Sequence, residues 1–301
     1  MDIPLYPDRC ELGIEHCDAL QRAFRAVDRS ISEFTFSNLF LFRKAHSYRV
    51  SRLGEFLIVT GRGYDGTAYA LPPLGPGDPE NASLRVCDGL AAEGHEPVLF
   101  PVHARLLESS FSDPRWSARA DRDQADYVYS RSELAELSGR KYHKRKNRLL
   151  KFVREEAQGY SYAPLSREHV SGCLELAEAW CEIRCSPTRP STYLETEAAE
   201  ESLRWREALG LRGAVVTIAG RVRAFTLGEE LNPETFVIHF EKSDAGREGL
   251  AQLINRDFCS RALGAYRYVN REQDLGDPGL RQAKEAYQPL FLVEKYRVSP
   301  R

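Results

Sequence analysis

The sequence predicts an α+β protein with two domains that share one order of helices and strands. Its 301 residues are 42% hydrophobic and 29% charged, which is ordinary globular usage and excludes a disordered chain, a coiled coil or a disulfide mini-protein. At roughly 100–200 residues per domain, this length predicts two domains. In both halves the periodicity indicates two helices, three strands, then a helix, a strand, a helix and a strand.

The first half contains the first copy of this order. Apolar residues at helical spacing, and short runs of β-branched and aromatic residues, identify its elements. The predicted helices are 14–28, 34–45, 82–94 and 102–109. The predicted strands are 47–51, 55–60, 67–71, 97–100 and 125–129. The Pro- and Gly-rich stretch LPPLGPGDPE interrupts the pattern after the third strand, as a loop would.

The second half follows a long basic helix predicted over 132–157 and a short strand at 160–164. Its predicted helices are 166–183, 194–209, 248–264 and 278–286. Its predicted strands are 213–219, 222–229, 235–242, 266–270 and 289–296. We therefore expect an N-terminal domain over 1–131, a basic connecting helix over 132–158 and a C-terminal domain over 159–301.

The overall charge excludes a protein that coats nucleic acid or anionic membrane with its whole surface. Lys and Arg number 42 against 44 Asp and Glu, a net charge of −2, so any anion-binding surface must be local. The first residues, MDIPLYPDRCELG, do not resemble a signal peptide, and no apolar run approaches the roughly 20 residues of a membrane span. We expect a cytoplasmic protein with at most peripheral membrane contact.

The seven cysteines are odd in number and scattered, which favours a reduced compartment over a disulfide framework. Cys173, Cys181 and Cys185 have no histidine nearby in sequence to complete four zinc ligands. Free thiols are the better interpretation, and no metal site is predicted.

Several segments carry a family resemblance over nearly the whole chain. They are SEFTFSNLFLFRKAHSYRV (32–50), LPPLG (71–75), LSGRKYHKRKNRLLKF (137–152), HFEKSDAG (239–246) and, most specific, VNREQDLGDPGLRQAKEAYQPLFLVEKY (269–296). They resemble a bacterial family related to the C-terminal, catalytic domain of phosphatidylglycerol lysyltransferase. The doubled order of elements is similar to the tandem GNAT-like (GCN5-related N-acyltransferase-like) fold of the Fem aminoacyl ligases.

This resemblance implies two tandem GNAT-like domains, each a mixed, mostly antiparallel sheet flanked by helices. In that fold the sheet splays open between its fourth and fifth strands to admit an acyl donor. The resemblance also implies transfer of an aminoacyl group from aminoacyl-tRNA to a lipid headgroup or a small acceptor.

The basic segment GRKYHKRKNRLLKFVR is the clearest physical feature of the sequence. It carries eight Lys and Arg residues within 15 positions. At 3.6 residues per turn, a cationic face opposes an apolar face formed by Tyr142, Leu149 and Val153. We predict an anion site for tRNA phosphates, a lipid headgroup or a CoA pyrophosphate, formed by Lys141, His143, Lys144, Arg145 and Arg148. The alternative is a solvated helix between domains.

The turn HFEKSDAGREGLAQL joins a strand to a helix, and in the acyltransferase fold such a turn binds the pyrophosphate of acyl-CoA at the helix N-terminus. Gly246 and Gly249 resemble part of that pattern. Asp244 and Glu248, however, place acidic groups where a pyrophosphate would be repelled. An aminoacyl-tRNA donor, which needs no pyrophosphate pocket, fits this turn better than acyl-CoA does.

Three residues are candidates for catalysis. Acyl transfer requires a group that removes the proton of the nucleophile and one that stabilises the oxyanion or protonates the leaving oxygen. Glu241, beside the expected splay, is the candidate base, and Tyr287, on the last helix, is the candidate acid. Arg271 could grip a phosphate or carboxylate in bidentate fashion, and its neighbours Asn270 and Glu272 could orient an amine.

Two other functions remain open at this point. One is an acyl-CoA-dependent N-acyltransferase, and the other is a non-catalytic protein that binds RNA or another anion. The structural alternatives also stay open: Glu241 could form a salt bridge with Lys242 or Arg271, and Tyr287 could be a buried ring with a bonded hydroxyl.

Overall fold

The computed structural model describes residues 3–156, 159–186 and 190–301. These fall into two compact units, Met1–Asp126 with Val293–Arg301, and Tyr127–Leu292. The prediction assigned the last nine residues to the second domain and set the basic helix apart as a connector. In the structure the last strand belongs to the first unit and the basic helix to the second.

The first unit contains one seven-stranded sheet and its flanking helices. Its strands are β1 (Cys10–Glu11), β2 (Arg49–Leu53), β3 (Phe56–Arg62), β4 (Ala68–Ala70), β5 (Leu99–His103), β6 (Trp116–Ala120) and β14 (Lys295–Pro300). Its α-helices are α1 (Cys17–Arg25), α2 (Phe36–Leu41), α3 (Glu80–Ala92) and α4 (Ala104–Ser110). The strand order is β1-β2-β3-β4-β5-β14-β6, with β4 and β5 parallel. The short strands β1 and β6 were not predicted.

The second unit contains another seven-stranded sheet. Its strands are β7 (Asp126–Ser130), β8 (Tyr160–Pro164), β9 (Arg212–Ile218), β10 (Arg221–Asn232), β11 (Thr235–Ser243), β12 (Tyr268–Asn270) and β13 (Phe291–Val293). Its α-helices are α5 (Arg131–Glu136), α6 (His143–Glu155), α7 (Val170–Arg184), α8 (Pro190–Arg204), α9 (Leu250–Arg261) and α10 (Pro278–Glu285). The strand order is β13-β7-β12-β11-β10-β9-β8, with β11 and β12 parallel.

The two sheets repeat one topology. In each, a meander of antiparallel strands (β2-β3-β4 and β9-β10-β11) leads to one parallel pair (β4-β5 and β11-β12). A helix, α3 or α9, connects the two strands of that pair, as parallel pairing requires. The predicted fold class, two mixed and mostly antiparallel sheets flanked by helices, is confirmed.

The predicted helix over 132–157 is wrong as a single element. Leu137 ends α5 in the left-handed conformation (φ 47°), and Gly139 (φ 84°) continues the turn. A short 3₁₀ helix over Arg140–Tyr142 precedes α6. The chain can turn at this point because Leu137 is buried in the core and Gly139 tolerates a positive φ. The predicted last strand over 289–296 is likewise divided into β13 and the start of β14.

Two of the cysteines predicted to be free are paired. Cys181 and Cys185, at the end of α7, form a disulfide, while Cys173 is buried as a thiol. The spacing of four places both sulfurs on the same side of the last helical turn, which the sequence argument did not consider.

A buried ion cluster holds β14 in the first unit. The Lys295 ammonium lies 2.7 Å from Asp126 Oδ1 and 2.6 Å from Glu33 Oε2, and its side chain is fully buried. Burial acts to lower the pKa of Lys295, but the two carboxylates outweigh it and raise the pKa above its ordinary value. The lysine is therefore charged inside the unit, and the two carboxylates compensate its desolvation.

Among the described residues, no helix is both long and apolar enough to cross a membrane.

Candidate active site

The candidate site lies where the parallel strands of the second unit separate. The pairing of β11 with β12 ends at Val237 and Asn270, but β11 continues to Ser243. Arg271 directly follows this last pair, and Glu241 lies farther along β11, on the other side of the opening. The Arg271 guanidinium spans it, with Nη2 2.8 Å from Glu241 Oε1.

A β-bulge at His239 sets the direction of the Glu241 side chain. Leu227 and Gly228, adjacent on β10, pair with Phe240 and Ile238, so His239 is an extra residue on β11. An extra residue exchanges the faces of all the side chains that follow it. Gly228 permits the bulge, because a Cβ there would lie 2.0 Å from a carbonyl oxygen of β11.

The bulge changes which side chains face α9 on the two sides of β11. Before the bulge, Phe236 packs in the core against Phe258 of α9. After it, Glu241 faces α9 and accepts a hydrogen bond from Asn255 Nδ2 at 3.0 Å. Lys242 faces the opposite way, with its ammonium 3.5 Å from the centre of the Trp180 ring.

Glu241 and Arg271 form a desolvated ion pair. Their side chains are 11% and 16% exposed, and each Glu241 oxygen has a partner, Oε1 with Arg271 and Oε2 with Asn255. Burial acts to lower the pKa of Arg271, but the Glu241 carboxylate outweighs it and raises that pKa. Of the two salt bridges considered for Glu241, the structure shows the one to Arg271.

Tyr287 lies between two arginines. The Arg145 guanidinium is 4.1 Å and that of Arg271 4.9 Å from the centre of its ring, distances at which a cation is attracted by the π face. Burial raises the pKa of Tyr287, although both arginines oppose this. The phenol is therefore protonated at neutral pH, the state in which it can donate a proton or a hydrogen bond. Tyr129 packs edge-on against the ring at 6.5 Å.

His239 is a site residue that the sequence argument missed. Its side chain is 1% exposed, with Nδ1 2.8 Å from Glu272 Oε1 and Nε2 3.0 Å from Glu229 Oε1. Burial acts to lower its pKa, but the two hydrogen-bonded carboxylates dominate and raise the pKa to about 10. His239 is thus an imidazolium that bridges β10 to the loop after β12. Two features of the sequence could have pointed to His239. One is its position in the segment HFEKSDAG, and the other is Gly228 in the neighbouring strand, because a glycine inside a strand often marks a bulge.

Two residues proposed to orient an amine are used within the fold. The Asn270 side chain is fully buried and its Oδ1 accepts the Glu272 backbone N–H at 2.7 Å. Glu272 holds His239 and adopts a left-handed backbone (φ 58°), a conformation that costs a residue other than glycine energy and is found at functional sites.

Salt bridges partly neutralise the basic segment. Lys141 pairs with Glu133 at 2.7 Å, and Glu248 pairs with Arg148 at 3.0 Å and with Lys151 at 3.7 Å. These side chains are between 37% and 56% exposed, so each pair stabilises the fold by at most about 1 kcal/mol. An incoming polyanion could therefore compete for these lysines and arginines.

Arg145 links the basic segment to the splay. It lies on α6 between exposed residues that include His143 and Lys144, and its own guanidinium stacks on Tyr287. The structure therefore brings Glu241, Arg271, Tyr287 and Arg145 together. His143 and Lys144 lie farther along the surface of the same helix.

The turn before α9 does not fit a pyrophosphate. The Gly246 N–H is already donated to Asp244 Oδ1 at 3.0 Å, and Glu248 lies at the start of the helix. Gly249 is required for packing, because a Cβ there would lie 2.4 Å from the Arg148 carbonyl oxygen and its φ is 97°. Two backbone donors of this turn, the N–H groups of Gly246 and Arg247, are thus already used by Asp244.

Comparison with known proteins gives the family. The model of the phosphatidylglycerol lysyltransferase C-terminal family matches residues 24–299. The chain belongs to this family. Among curated proteins, no sequence matches it significantly.

Several solved structures are similar to this chain. A conserved protein of unknown function from Bacteroides thetaiotaomicron is 30% identical, with a TM-score of 0.88 over 97% of this chain and 99% of that one. The L-PGS structure from Bacillus licheniformis is 16% identical, with a TM-score of 0.62 over 100% of this chain and 94% of that one. FemX is 10% identical, with a TM-score of 0.57 over 98% and 97%. The last two establish the shared fold alone.

Proposed function

We propose that this chain is an aminoacyltransferase that moves an aminoacyl group from aminoacyl-tRNA to a hydroxyl or amine of a lipid headgroup or small acceptor. The acceptor oxygen or nitrogen attacks the ester carbonyl carbon, and the bond from that carbon to the tRNA ribose oxygen breaks. One proton leaves the acceptor and one reaches the ribose oxygen, so no net proton is consumed.

The observation that carries this proposal is the shared contact of Arg145 and Arg271 with Tyr287. Arg145 belongs to the cationic helix, and Arg271 to the splay of the sheet. A polyanion bound along α6 would therefore lie next to the side chains at the opening between β11 and β12. Family membership supports the reaction class, and the occupied turn at Gly246 favours a tRNA donor over acyl-CoA.

In this proposal Arg271, Tyr287 and Glu241 each have one role in the reaction. Arg271, held by Glu241, stabilises the negative charge that develops on the carbonyl oxygen. Tyr287, kept protonated by burial, donates a proton to the leaving ribose oxygen. Glu241 accepts the proton of the acceptor, and transfer of that proton from Glu241 to the Tyr287 phenolate returns both side chains to their starting states.

The test is transfer of radiolabelled amino acids from a full set of aminoacyl-tRNAs to a lipid extract and to small amines. We expect one acceptor to become labelled, and Tyr287→Phe and Glu241→Gln to reduce the rate by about 10²-fold or more. Glu197→Gln, an exposed position on α8, is the matched control and should keep full activity. Absence of transfer with every amino acid would refute the proposal.

One observation favours a second candidate, a non-catalytic protein that binds RNA or another anion. Both Glu241 oxygens already have partners, as expected for a structural ion pair. This alternative expects charge reversal at Lys144 and Arg145 to abolish RNA binding, while Glu241→Gln and Tyr287→Phe leave every measured activity unchanged. A filter-binding titration with bulk tRNA, combined with the transfer assay, separates the two.

A further inference from the structure

The first unit contains a cavity of about 520 Å³ beside its sheet. It extends from β6 and β14 to the residues that precede β4 and β5. The lining residues used first in the following argument are Asp65, Thr67, Glu96, Arg119, Asp121 and Arg297. All of them belong to the first unit, whereas the candidate active site lies in the second.

Two arginines face each other on the sheet side of this cavity. Arg297 of β14 and Arg119 of β6 are directly paired in the antiparallel register, so their side chains lie on the same face of the sheet. Like charges placed directly opposite each other destabilise a sheet, because the Cβ atoms of such a pair are only about 5 Å apart. An anionic group bound between the two guanidinium groups would remove this repulsion.

Both guanidinium groups can be reached from the cavity. Arg297 stacks on Phe100, 4.3 Å from the ring centre, and donates from Nε to Asp121 Oδ2 at 2.9 Å. Its side chain is 27% exposed, and its two Nη atoms are neither buried nor bonded to any residue that the structure describes. Arg119 is exposed, and its side chain makes no hydrogen bond or ion pair within the described part of the chain. Donors of both arginines are therefore available to a ligand.

The other end of the cavity is acidic. Asp65 and Glu96, both exposed, precede β4 and β5. The Thr67 N–H, 2.9 Å from Asp65 Oδ1, lowers the pKa of this carboxyl group, and the charge of Arg297 acts in the same direction. Because the lining combines two arginines with three carboxylates, including that of Asp121, it favours a zwitterion over a simple anion.

The spacing of the strands indicates the length of that zwitterion. In the order β4-β5-β14-β6, neighbouring strands are about 4.8 Å apart, so β4 and β6 are separated by about 14 Å. An extended peptide spans about 3.3–3.6 Å per residue, so three residues cover about 10 Å. The side chains that project from the two ends of the cavity can close the remaining distance.

We propose that this cavity is a binding site for a short peptide with free ends, about three residues long. Its C-terminal carboxylate lies between Arg119 and Arg297, because a guanidinium can donate two parallel hydrogen bonds to a carboxylate. Its N-terminal ammonium lies near Asp65 and Glu96. Ser117 and Ser299, a second directly paired couple in the lining, supply hydroxyls that can bond to the peptide groups between the two ends.

The experiment is isothermal titration calorimetry of the full chain with trialanine. Two matched peptides each lack one end charge: trialaninamide has no carboxylate, and N-acetyl-trialanine has no ammonium. We expect saturable binding of one equivalent of trialanine, and binding of each blocked peptide at least about tenfold weaker, because charge-assisted hydrogen bonds are lost. No saturable heat with trialanine, or a blocked peptide that binds as tightly as the free one, would overturn the proposal.

Two variants locate the site. Arg119→Gln and Glu96→Gln each remove one exposed charge of the lining, and each should weaken the binding of trialanine at least about tenfold. Arg49→Gln, which removes an exposed charge from β2 of the same sheet, is the matched control and should not. Circular dichroism checks that each variant is folded, and unchanged affinity in either lining variant contradicts this location. Since the cavity uses only residues of the first unit, either result leaves the proposed aminoacyl transfer to be judged by its own assay.

Discussion

Replacing His239 by glutamine tests the buried imidazolium between β10 and the loop after β12. Glutamine has a similar reach and its amide NH₂ can donate to one of the two carboxylates, but it carries no charge. The two carboxylates, 16% and 15% exposed, would then lack their cation. Such a loss is typically worth about 3–5 kcal/mol of folding free energy.

The pH dependence follows from the shift in pKa. The histidine pKa is 6.5 in its ordinary state and about 10 in the fold. Because the folded pKa is the higher one, its stabilisation is complete below pH 6.5 and is lost as the pH rises towards 10. At roughly 1.4 kcal/mol per pH unit, about 4 kcal/mol remains at pH 7 and about 1 kcal/mol at pH 9.

The assay is urea denaturation of both proteins, followed by circular dichroism, at several pH values from 6 to 9.5. Groups that do not contact His239 cancel in the difference between the two unfolding free energies, so this difference should shrink as the pH rises. His143→Gln, at an exposed position of α6, is the control and should change stability by less than about 0.5 kcal/mol. A difference that is constant or increases with pH would refute a charged His239.

Three further predictions concern other parts of the chain. Gly249→Ala should destabilise the protein by about 1–3 kcal/mol in urea denaturation, because its Cβ would lie 2.4 Å from a carbonyl oxygen of α6. Gly246→Ala, whose nearest contact would be 3.4 Å, should cost much less, and equal losses would contradict the packing role. Lys295→Met should cost about 3–5 kcal/mol in the same assay by removing the cation between two buried carboxylates, and a neutral result would contradict the ion cluster. Burial raises the pKa of the Cys259 thiol to about 12, so iodoacetamide at pH 8 should alkylate it only after unfolding, and mass spectrometry of the native protein would reveal any exception.

The order of the elements could be predicted from the sequence because it depends on local patterns. Strand β8 was predicted with its observed bounds, and α10 begins where Asp277 accepts the Leu280 N–H as an N-cap. The long basic helix was wrong because its break depends on the buried position of Leu137. Apolar periodicity does not reveal which leucine will leave the helix to fill a core.

For the site, the sequence placed Glu241 and Arg271 near the same opening because each lies at the end of a strand in the parallel pair. Only the tertiary structure shows that they form an ion pair with each other and that Asn255 completes the contact. His239 was missed since a bulge is a relation between two strands, and neither strand shows it alone.

By itself, the sequence determined two copies of one α+β architecture, a near-neutral chain with one local cationic segment, and the family resemblance. Those properties follow from composition, period and motif, which need no knowledge of distant contacts. Only the tertiary structure decided that β14 belongs to the first unit and that Arg145 reaches Tyr287. The physical reason is that each of these depends on residues far apart in the chain, whose meeting is set by packing and by the pairing of buried charges.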